Sequence, residues 1–498
     1  MSEHLISFED AASDPLACAA YIAEAIRSGD GRASAMEAVV PHYLHRGDVD
    51  LAAELANTVD DPYTRDRLLI KVAEKCAEID DVDYAVQLAE SVDDRGLRLQ
   101  ALESIGLRCA SRSEFDRARV LAAELDHPEF VLANIAAYLN AAGDEAASET
   151  TLSEIDFPSA RVAAFQEIAA AATAKSDAER AVAFTERALE SAGEIEHEEE
   201  KIRVLCEIGI SFVELKRNDR AVETFAAARG VAEALDNIHR DPLLALVANG
   251  FLQASSSEFA DRTLDLITDK ASLASGLLGF ARDSARRGEN DEGIETLEEA
   301  YAILRSQKER ETRDAKAKIN LHAQIAGQFA GFGKGERGIE IAHEIADDGG
   351  QVSALSQIAR ASVLRGEPDA ARMAIRAIHD DDNRVFALLG MSDAFNEIGE
   401  ADCAIAALNE ASELAETVPQ LSSRAEAYSE IGARFGGGGD EASAGRVIET
   451  SLDTILMIRD ESNRAAALAG VSAVLDAKNL NLSDRGKEIL VKIVSAAG

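Results

Sequence analysis

Residues 201–235 read KIRVLCEIGISFVELKRNDRAVETFAAARGVAEAL, and the rest of the chain repeats this pattern. Apolar side chains recur at helical spacing on both sides of KRND, which predicts two amphipathic helices joined by a short turn. Gly209 in the first segment and Ala221 in the second are small enough to let two helix backbones approach closely. A single hairpin of this kind cannot bury its apolar face alone. The stretch therefore predicts a stack of similar hairpins.

Three columns of residues repeat in register along the chain. The small residue near the start of each second helix recurs at Ala52, Ala85, Ala118, Ser148, Ala181, Ala221, Ala260, Gly293, Gly338, Ala371, Ala404 and Ala444. Twelve positions earlier lies the matching residue of the first helix, which is small in every case except Val40. Glycine marks the intervening turn, where a positive φ ends a helix at little cost. These glycines are Gly47, Gly143, Gly288, Gly333, Gly366, Gly399 and Gly439.

Leu205, Gly209 and Phe212, followed by Ala221 and Phe225, resemble the W-x2-L-G-x2-Y and A-x3-F signatures of the tetratricopeptide repeat, or TPR. Leu205 stands in place of the Trp, Phe212 in place of the Tyr, and no Pro closes the unit. The resemblance implies an all-α fold, a right-handed α-solenoid of about 13 TPR-like helix-turn-helix repeats.

The pattern predicts three segments. Residues 1–30 are expected to form an N-terminal cap, with an unpaired helix from about residue 14 to residue 27 that has Pro15 in its first turn. Residues 31–461 are expected to form the repeat array, and residues 462–498 a C-terminal capping hairpin. Where the interval between repeats exceeds 33 residues, as over 221–241 and 293–314, the second helix is expected to be longer.

The formal net charge is −40, and the basic residues comprise 13 Lys against 38 Arg. Such an acidic, lysine-poor composition resembles that of proteins from salt-accumulating halophiles, especially haloarchaea, and implies a protein adapted to molar salt. Nucleic acid is disfavoured as a partner, because phosphate binding requires a basic patch and the sequence shows none.

Cys18, Cys76, Cys109, Cys206 and Cys403 each lie in a helical pattern, and none forms a CxxC pair. They are expected to be small, unpaired core residues, which fits a reducing cytoplasm. The N-terminal region is acidic and contains no apolar signal-peptide segment, and no 18-residue apolar run is present. The sequence therefore predicts a cytoplasmic protein without membrane insertion.

No catalytic, cofactor or metal motif stands out. The glycine-rich stretch GFGKGERG at 331–338 does not match the phosphate-loop pattern G-x-x-x-x-G-K-[ST], and it falls at a hairpin turn rather than after a strand. His42 and His45 share a helix face but lack further ligands nearby in the sequence. Carboxylate pairs that act as acid and base cannot be recognised among 91 Asp and Glu residues. The expectation is a protein that is not an enzyme and needs no cofactor or metal.

Several repeats begin with an Asp followed by an Arg, as in Asp61 to Arg65 and Asp460 to Arg464. An Asp before a helix caps free N–H groups and suits the helix dipole. The Arg is then available to a carboxylate of the adjoining hairpin. We interpret these residues as structural rather than as ligand contacts.

The resemblance to TPR proteins implies a concave groove lined by first-helix residues one, four and five positions after the small residue. Three Arg and several amides occupy these positions, and Glu397 is the acidic member. Arg can pair with a carboxylate in bidentate geometry, and Asn or Gln can pair with a peptide backbone. The predicted groove residues are Asn140, Asn249, Gln253, Arg282, Arg286, Arg360 and Asn396. The alternative is that water or neighbouring acids satisfy these side chains.

Two functions follow from this pattern. The first is a non-catalytic scaffold that binds a partner protein or peptide in the groove. The second is a regulatory sensor whose superhelix responds to a peptide or small ligand. The two-carboxylate clamp that some TPR proteins use for chaperone tails is not supported, because only Asn249 matches its residue set. Neither the partner nor the oligomeric state follows from the sequence.

Overall fold

The computed structural model describes residues 4–306 and 315–497. Within these ranges the chain forms 28 helices and no strand, which confirms the predicted all-α class. The helices are α1 (Phe8–Ala11), α2 (Pro15–Ala25), α3 (Gly29–Arg46), α4 (Val49–Asn57), α5 (Pro62–Glu78), α6 (Val82–Glu90), α7 (Arg95–Ser111), α8 (Phe115–Ala122), α9 (Glu129–Ala141), α10 (Glu145–Ser153), α11 (Pro158–Ala174), α12 (Ala178–Gly193), α13 (Glu198–Glu214), α14 (Asn218–Ala234), α15 (Arg240–Gln253), α16 (Ser257–Leu264), α17 (Lys270–Arg287), α18 (Asn290–Ser306), α19 (Ala315–Gly331), α20 (Gly335–His343), α21 (Asp348–Leu364), α22 (Pro368–Arg376), α23 (Asp381–Glu397), α24 (Ala401–Ala415), α25 (Leu421–Gly437), α26 (Glu441–Met457), α27 (Glu461–Lys478) and α28 (Asp484–Ala497).

The chain divides into two compact units. Unit 1 comprises Met1–Ile105 and Gly366–Gly498, and unit 2 comprises Gly106–Arg365. The odd-numbered helices from α3 to α25 are the first helices of the repeats, and the even-numbered helices from α4 to α26 are the second helices. Pairs such as α13 with α14 in unit 2, and α25 with α26 in unit 1, pack closely along their length. The boundaries predicted for the cap, the array and the C-terminal hairpin stay a prediction.

Within each unit, the small residues lie where the two helices of a hairpin cross. All twelve residues of the second-helix column are buried, and so are their counterparts twelve positions earlier. Hydrogen bonds link the two columns directly: Ser148 Oγ donates to Ala136 O at 2.8 Å, and Ser392 Oγ donates to Ala404 O at 3.1 Å. The predicted crossing is therefore confirmed, with carbonyl and hydroxyl groups in contact across it.

The turn five residues before each second-helix small residue is left-handed throughout. All seven predicted turn glycines have φ between 74° and 91°. The sequence prediction missed that the remaining repeats use the same conformation without glycine. Those residues are Asp80, Ser113, Ser176, Lys216, Ser255 and Asn479, with φ from 50° to 78°.

The length of the second helix follows the length of the repeat. In 33-residue repeats it has 8 or 9 residues, as in α4 and α16. In longer repeats it has 15 to 17, as in α14 and α24. The prediction of longer second helices is therefore confirmed for the described residues. In the stretch 293–314, helix α18 covers the residues up to Ser306, and residues 307–314 lie outside the described part of the chain.

The Asp and Arg residues between repeats have structural roles, as interpreted from the sequence. Asp61 accepts from Thr64 N at 2.8 Å and caps α5, while Arg65 Nη2 binds Asp93 of the next repeat at 2.6 Å. Asp460 caps α27 in the same way, and Arg464 donates to the carbonyl of Ile458. The two Asp residues and Arg464 thus satisfy backbone groups where a new hairpin begins, and Arg65 forms an ion pair with the next repeat.

Helix α2 from the start of the chain packs along α27 from its end. Both belong to unit 1, and α27 also packs on α3 and α25. Helix α28 lies instead against α26 and α2. The sequence prediction did not include this contact between the two terminal regions, since it treated the helix after Pro15 as unpaired.

Four of the five cysteines are buried and none of the five forms a disulfide bond, but Cys403 is exposed on α24. The expectation that Cys403 is a core residue is therefore wrong, because its position on the second helix faces away from the crossing. The GFGKGERG stretch forms the turn between α19 and α20, as predicted. Among the described residues, no helix is both long enough and apolar enough to cross a membrane.

Candidate functional site

The structure places every predicted groove residue on a first helix. The first six belong to unit 2 and the last to unit 1, so the two sets are described separately. Their positions are α9 for Asn140, α15 for Asn249 and Gln253, α17 for Arg282 and Arg286, α21 for Arg360, and α23 for Asn396.

Asn140 faces a neighbouring hairpin. It is 7% exposed, and its Oδ1 accepts from Arg180 Nη2 at 2.9 Å. Arg180 also pairs with Glu145 at 2.7 Å. The amide of Asn140 is therefore used in a contact between hairpins and is buried away from any ligand.

Asn249 and Gln253, one turn apart on α15, differ in environment. Asn249 is half-buried, and its side chain lies so close to α17 that a Cβ atom on Gly279 would overlap Oδ1. Gln253 is exposed. Asn249 therefore fills the contact between two first helices, while Gln253 remains accessible to a ligand.

Arg282 is exposed and its guanidinium is held by neutral side chains of α19. Its Nη2 donates to Gln324 Oε1 at 3.0 Å. With the Gln328 amide oriented so that its oxygen faces Arg282, that oxygen accepts from Nε at 2.9 Å and from Nη2 at 3.3 Å. Nη1 makes none of these contacts, so its two N–H groups are left by the described part of the chain for a further acceptor.

The other two arginines of this set are also exposed. Arg286 Nη2 pairs with Asp283 Oδ1 at 2.9 Å, and Arg287 Nε pairs with Asp283 Oδ2 at 3.0 Å. The charge of Arg286 is therefore neutralised in part by Asp283, a carboxylate of its own helix. Arg360 lies exposed on α21.

A regular relationship between successive first helices explains these contacts. If the small residue of each first helix is numbered 0, the side chain at position +1 of one first helix contacts the next first helix. The contact there is at position −2 or +2. Asn249 meets Gly279 in this way, and Arg282 meets Gln324 and Gln328. A Cβ on Gly327 would likewise lie 3.1 Å from Gln357 Oε1. We call Arg282, Gln324, Gln328 and Gln357 the Arg282 patch.

Sequence reasoning missed the three glutamines of this patch. The available signal was their spacing, since Gln324 and Gln328 flank Ala326 and Gln357 precedes Ala359 by two positions. The prediction considered only the positions one, four and five residues after the small residue, and these glutamines lie two residues before or after it. It therefore identified the arginine but not the amides that orient it.

In unit 1 the equivalent position is filled by ion pairs. Asp393 accepts from Arg434 Nε and Nη2, both at 3.0 Å, and Arg434 Nη1 also binds Glu430 at 2.7 Å. Asn396 is exposed on the same helix as Asp393. On this surface the amide of Asn396 is accessible, but the charge of Arg434 is already neutralised by two carboxylates.

On the second helices of unit 2, arginines also pair with carboxylates. Arg187 forms two hydrogen bonds to Glu149, at 2.6 and 2.9 Å, and this contact holds the pKa of Glu149 below its usual value. Arg337 binds Glu298 in the same bidentate manner, at 2.9 and 3.0 Å. A shallow depression of about 430 Å³ lies beside Arg337. The guanidinium of Arg337 is already bound by the Glu298 carboxylate and is therefore not available to an acidic ligand.

No protein-family model matches the sequence, and no curated protein matches it. Solved structures do match at low similarity. The Cut9–Hcn1 hetero-tetramer of the APC/C matches with 14% identity, 87% of this chain and 89% of that chain covered, and a TM-score of 0.22. A signal-transduction ATPase with a tetratricopeptide repeat sensor from Pyrococcus horikoshii matches with 13% identity, 70% and 54% covered, and a TM-score of 0.27. A Rap protein complexed with competence and sporulation factor matches with 14% identity, 70% and 98% covered, and a TM-score of 0.26.

The assignment of the fold rests on the helical hairpins, their small-residue crossings and their left-handed turns. Together these features make the chain an all-α protein built of TPR-like repeats.

Proposed function

We propose that this protein is a non-catalytic scaffold that binds a segment of a partner protein on the first-helix surface of unit 2. The Arg282 patch is its central contact, with Gln253 and Arg360 as accessible neighbours on the same series of helices. Asn140 and Asn249 support this surface from within. A cytoplasmic location is part of the proposal, supported by five cysteines that form no disulfide bond.

One observation carries the proposal. Arg282 is exposed, and within residues 4–306 and 315–497 its hydrogen-bond partners are the neutral amides of Gln324 and Gln328. Arg187 and Arg337 on the second helices instead pair with glutamates. In a chain with a net charge of −40, an orientated guanidinium that no carboxylate of the described residues binds favours an acidic group supplied by a ligand.

The chemistry of the patch indicates which ligand suits it. The Nη1 group of Arg282 can bind one oxygen of an Asp, a Glu or a terminal carboxylate. The exposed amide of Gln357 can exchange hydrogen bonds with a peptide backbone, and at present its Nε2 donates to Ser353 Oγ at 3.2 Å. We therefore expect an extended peptide segment with one carboxylate placed over Arg282.

A displayed random-peptide library, selected on the folded protein in molar salt, tests this proposal. Selected peptides are expected to share an acidic residue, and the best of them would be measured by titration calorimetry. Arg282→Met is expected to weaken binding by about tenfold, the effect of losing one charge-assisted hydrogen bond.

Arg262→Met is the matched control, because Arg262 is an exposed arginine of unit 2 on a second helix, paired with Glu258. It should leave the affinity unchanged. If no peptide is enriched, or if the selected peptides bind Arg282→Met as well as the original protein, the proposed surface is wrong.

The regulatory sensor remains the second hypothesis. It differs from the scaffold in one measurable way, since a sensor must change conformation when it binds. Small-angle scattering with and without a selected peptide distinguishes them: an unchanged envelope favours the scaffold, and a changed radius of gyration favours the sensor.

A further inference from the structure

Helix α2 occupies the place of a second helix in the last repeat. In hairpins such as α25–α26, the second helix packs along the first and against the first helix of the next repeat. Helix α2 packs along α27 and against α3 in the same way. The last repeat of unit 1 is therefore composite, with its first helix from the end of the chain and its second helix from the start.

The environment of α2 matches this central position. No residue of α2 is exposed, and its buried residues include Leu16, Cys18 and Ile22 at 0% exposure. A helix that is apolar all round needs neighbours on every side. A terminal cap would instead carry a polar outer face. Helices α1, α3, α27 and α28 supply these neighbours.

The composite pair lacks the covalent turn that holds the other hairpins together. After α27 the chain turns at Asn479, with φ 50°, and continues into α28, which packs on α26 and α2. The contact of α2 with α27 therefore depends on side chains alone. Without a short connecting turn the effective concentration of one helix at the other is lower, so this pair opens more readily than a connected hairpin.

A cluster of charges joins the three helices at the rim of this contact. Arg46 of α3 binds Asp14, the N-cap of α2, at 2.6 and 3.0 Å. It also binds Asp476 of α27 at 2.7 and 3.2 Å and Ser472 at 2.7 Å. The three charged side chains are 28% to 32% exposed, so water reaches the cluster.

We infer that α2 is a latch, which leaves its place between α27, α28 and α3 while the other repeats stay folded. The Asp14–Arg46–Asp476 cluster sets how often the latch is open. This inference is independent of the proposed function, because it concerns unit 1 and requires no ligand.

Two native cysteines make the latch measurable. Cys18 lies in the core of α2, and Cys206 lies in α13 of unit 2, 0% and 3% exposed respectively. Burial raises the pKa of both thiols to about 12, so the two are protected alike while their surroundings remain closed. A difference in their labelling rates therefore reports a difference in opening.

The test is labelling of the full-length protein with N-ethylmaleimide, read by peptide mass spectrometry and normalised to rates in denaturant. Cys18 is expected to react at least about tenfold faster than Cys206. Asp476→Asn is expected to speed labelling of Cys18 about tenfold further, as one charged contact of Arg46 is lost, with Cys206 unchanged. Asp393→Asn is the matched control, since it removes another arginine-bound aspartate of unit 1 far from α2 in the repeat order and should leave Cys18 unchanged.

Equal protection of the two thiols in the original protein would overturn the inference, as would equal acceleration of both by Asp476→Asn. If that variant does not fold, hydrogen exchange of the original protein decides. Amides of residues 15–25 that exchange faster than those of 218–234 support the latch, and equal or slower exchange rejects it.

Discussion

The Cε1 atom of Phe225 lies 2.5 Å from the position that a Cβ atom would take on Gly209. A Cβ on Gly250 of the next first helix would also overlap this ring. Phe225 is fully buried, so its ring fills a space that exists only because both first helices lack a side chain there. The glycine and the phenylalanine of the repeat signature thus form one packing unit.

Replacement of Gly209 by Ala should therefore destabilise unit 2. The added methyl group forces the Phe225 ring to move in a close-packed core, at a cost of about 1–3 kcal/mol that exceeds the gain in helix propensity of up to about 1 kcal/mol. Gly230→Ala is the control, because Gly230 lies in α14 with nothing within 4 Å of its added Cβ. It should raise the free energy of unfolding by up to about 1 kcal/mol, and chemical denaturation that gives both variants the same sign would contradict the packing described here.

The left-handed turn at Lys216 should be improved by glycine. Lys216 is exposed and has φ 57°, a conformation that costs a residue with a Cβ about 1–2 kcal/mol. Because glycine also loses more entropy on folding, Lys216→Gly should add about 0.5–1 kcal/mol to the free energy of unfolding. Arg217→Gly, at φ −107° beside it, should give no gain. A thermal scan in which the two variants shift the midpoint equally would refute this account.

Acid should destabilise unit 2 through Asp241. This side chain is 8% exposed, and its Oδ2 accepts from Thr268 N at 2.8 Å, Thr268 Oγ at 2.8 Å and Asp269 N at 2.6 Å. Burial acts to raise the pKa of Asp241, but these hydrogen bonds outweigh it and the pKa is lowered. The ionised form is therefore favoured by folding. Its contribution is present above the ordinary pKa of about 3.9 and is lost as the pH falls through the lowered value.

Asp241→Asn should accordingly reduce the free energy of unfolding by about 1–3 kcal/mol at pH 7 and make it depend less on pH below pH 5. Denaturation curves measured between pH 3 and pH 7 test both effects. The control is Asp219→Asn, an exposed carboxylate of α14 in the same unit, which should leave the profile unchanged. A parallel loss at every pH would show that the charge of Asp241 does not matter.

The acidic surface should make folding depend on salt. With a net charge of −40, repulsion between carboxylates rises as the screening length grows from about 3 Å at 1 M salt to about 10 Å at 0.1 M. We predict loss of compact structure below about 0.5 M salt. Circular dichroism and scattering during stepwise dialysis test this, with potassium and sodium chloride compared at equal ionic strength. An unchanged helical signal in dilute buffer would reject adaptation to molar salt.

Much of the local structure could be predicted because it depends on short-range rules. Gly47 and Gly439 adopt positive φ as expected. The equivalent turn position in other repeats also has positive φ, even where the residue is Lys216 or Ser255. Only the turn geometry explains those non-glycine residues, since the hairpin requires a left-handed residue at this point whichever side chain is present. The lengths of the second helices likewise followed from the repeat intervals.

The candidate site was harder to predict, because a groove position in one repeat depends on the repeat after it. Arg282 was identified from its place after Ala281, but Gln324 and Gln328 reach it from 42 and 46 residues further along the chain. Asn140 was expected on the groove surface, yet Arg180 of the following hairpin covers its amide. The residue type at the next first helix decides whether such a side chain binds a neighbour or remains accessible.

The sequence by itself determined the class, the repeat and the turns, because helical periodicity, small crossing residues and left-handed glycines act over a few residues at a time. Only the tertiary structure decided that α2 completes the repeat begun by α27. That pairing joins residues about 450 positions apart, and Arg46 links Asp14 to Asp476 across the same distance in the chain. The apolar character of α2 on every side required partners, but only the packed chain could say which helices provide them.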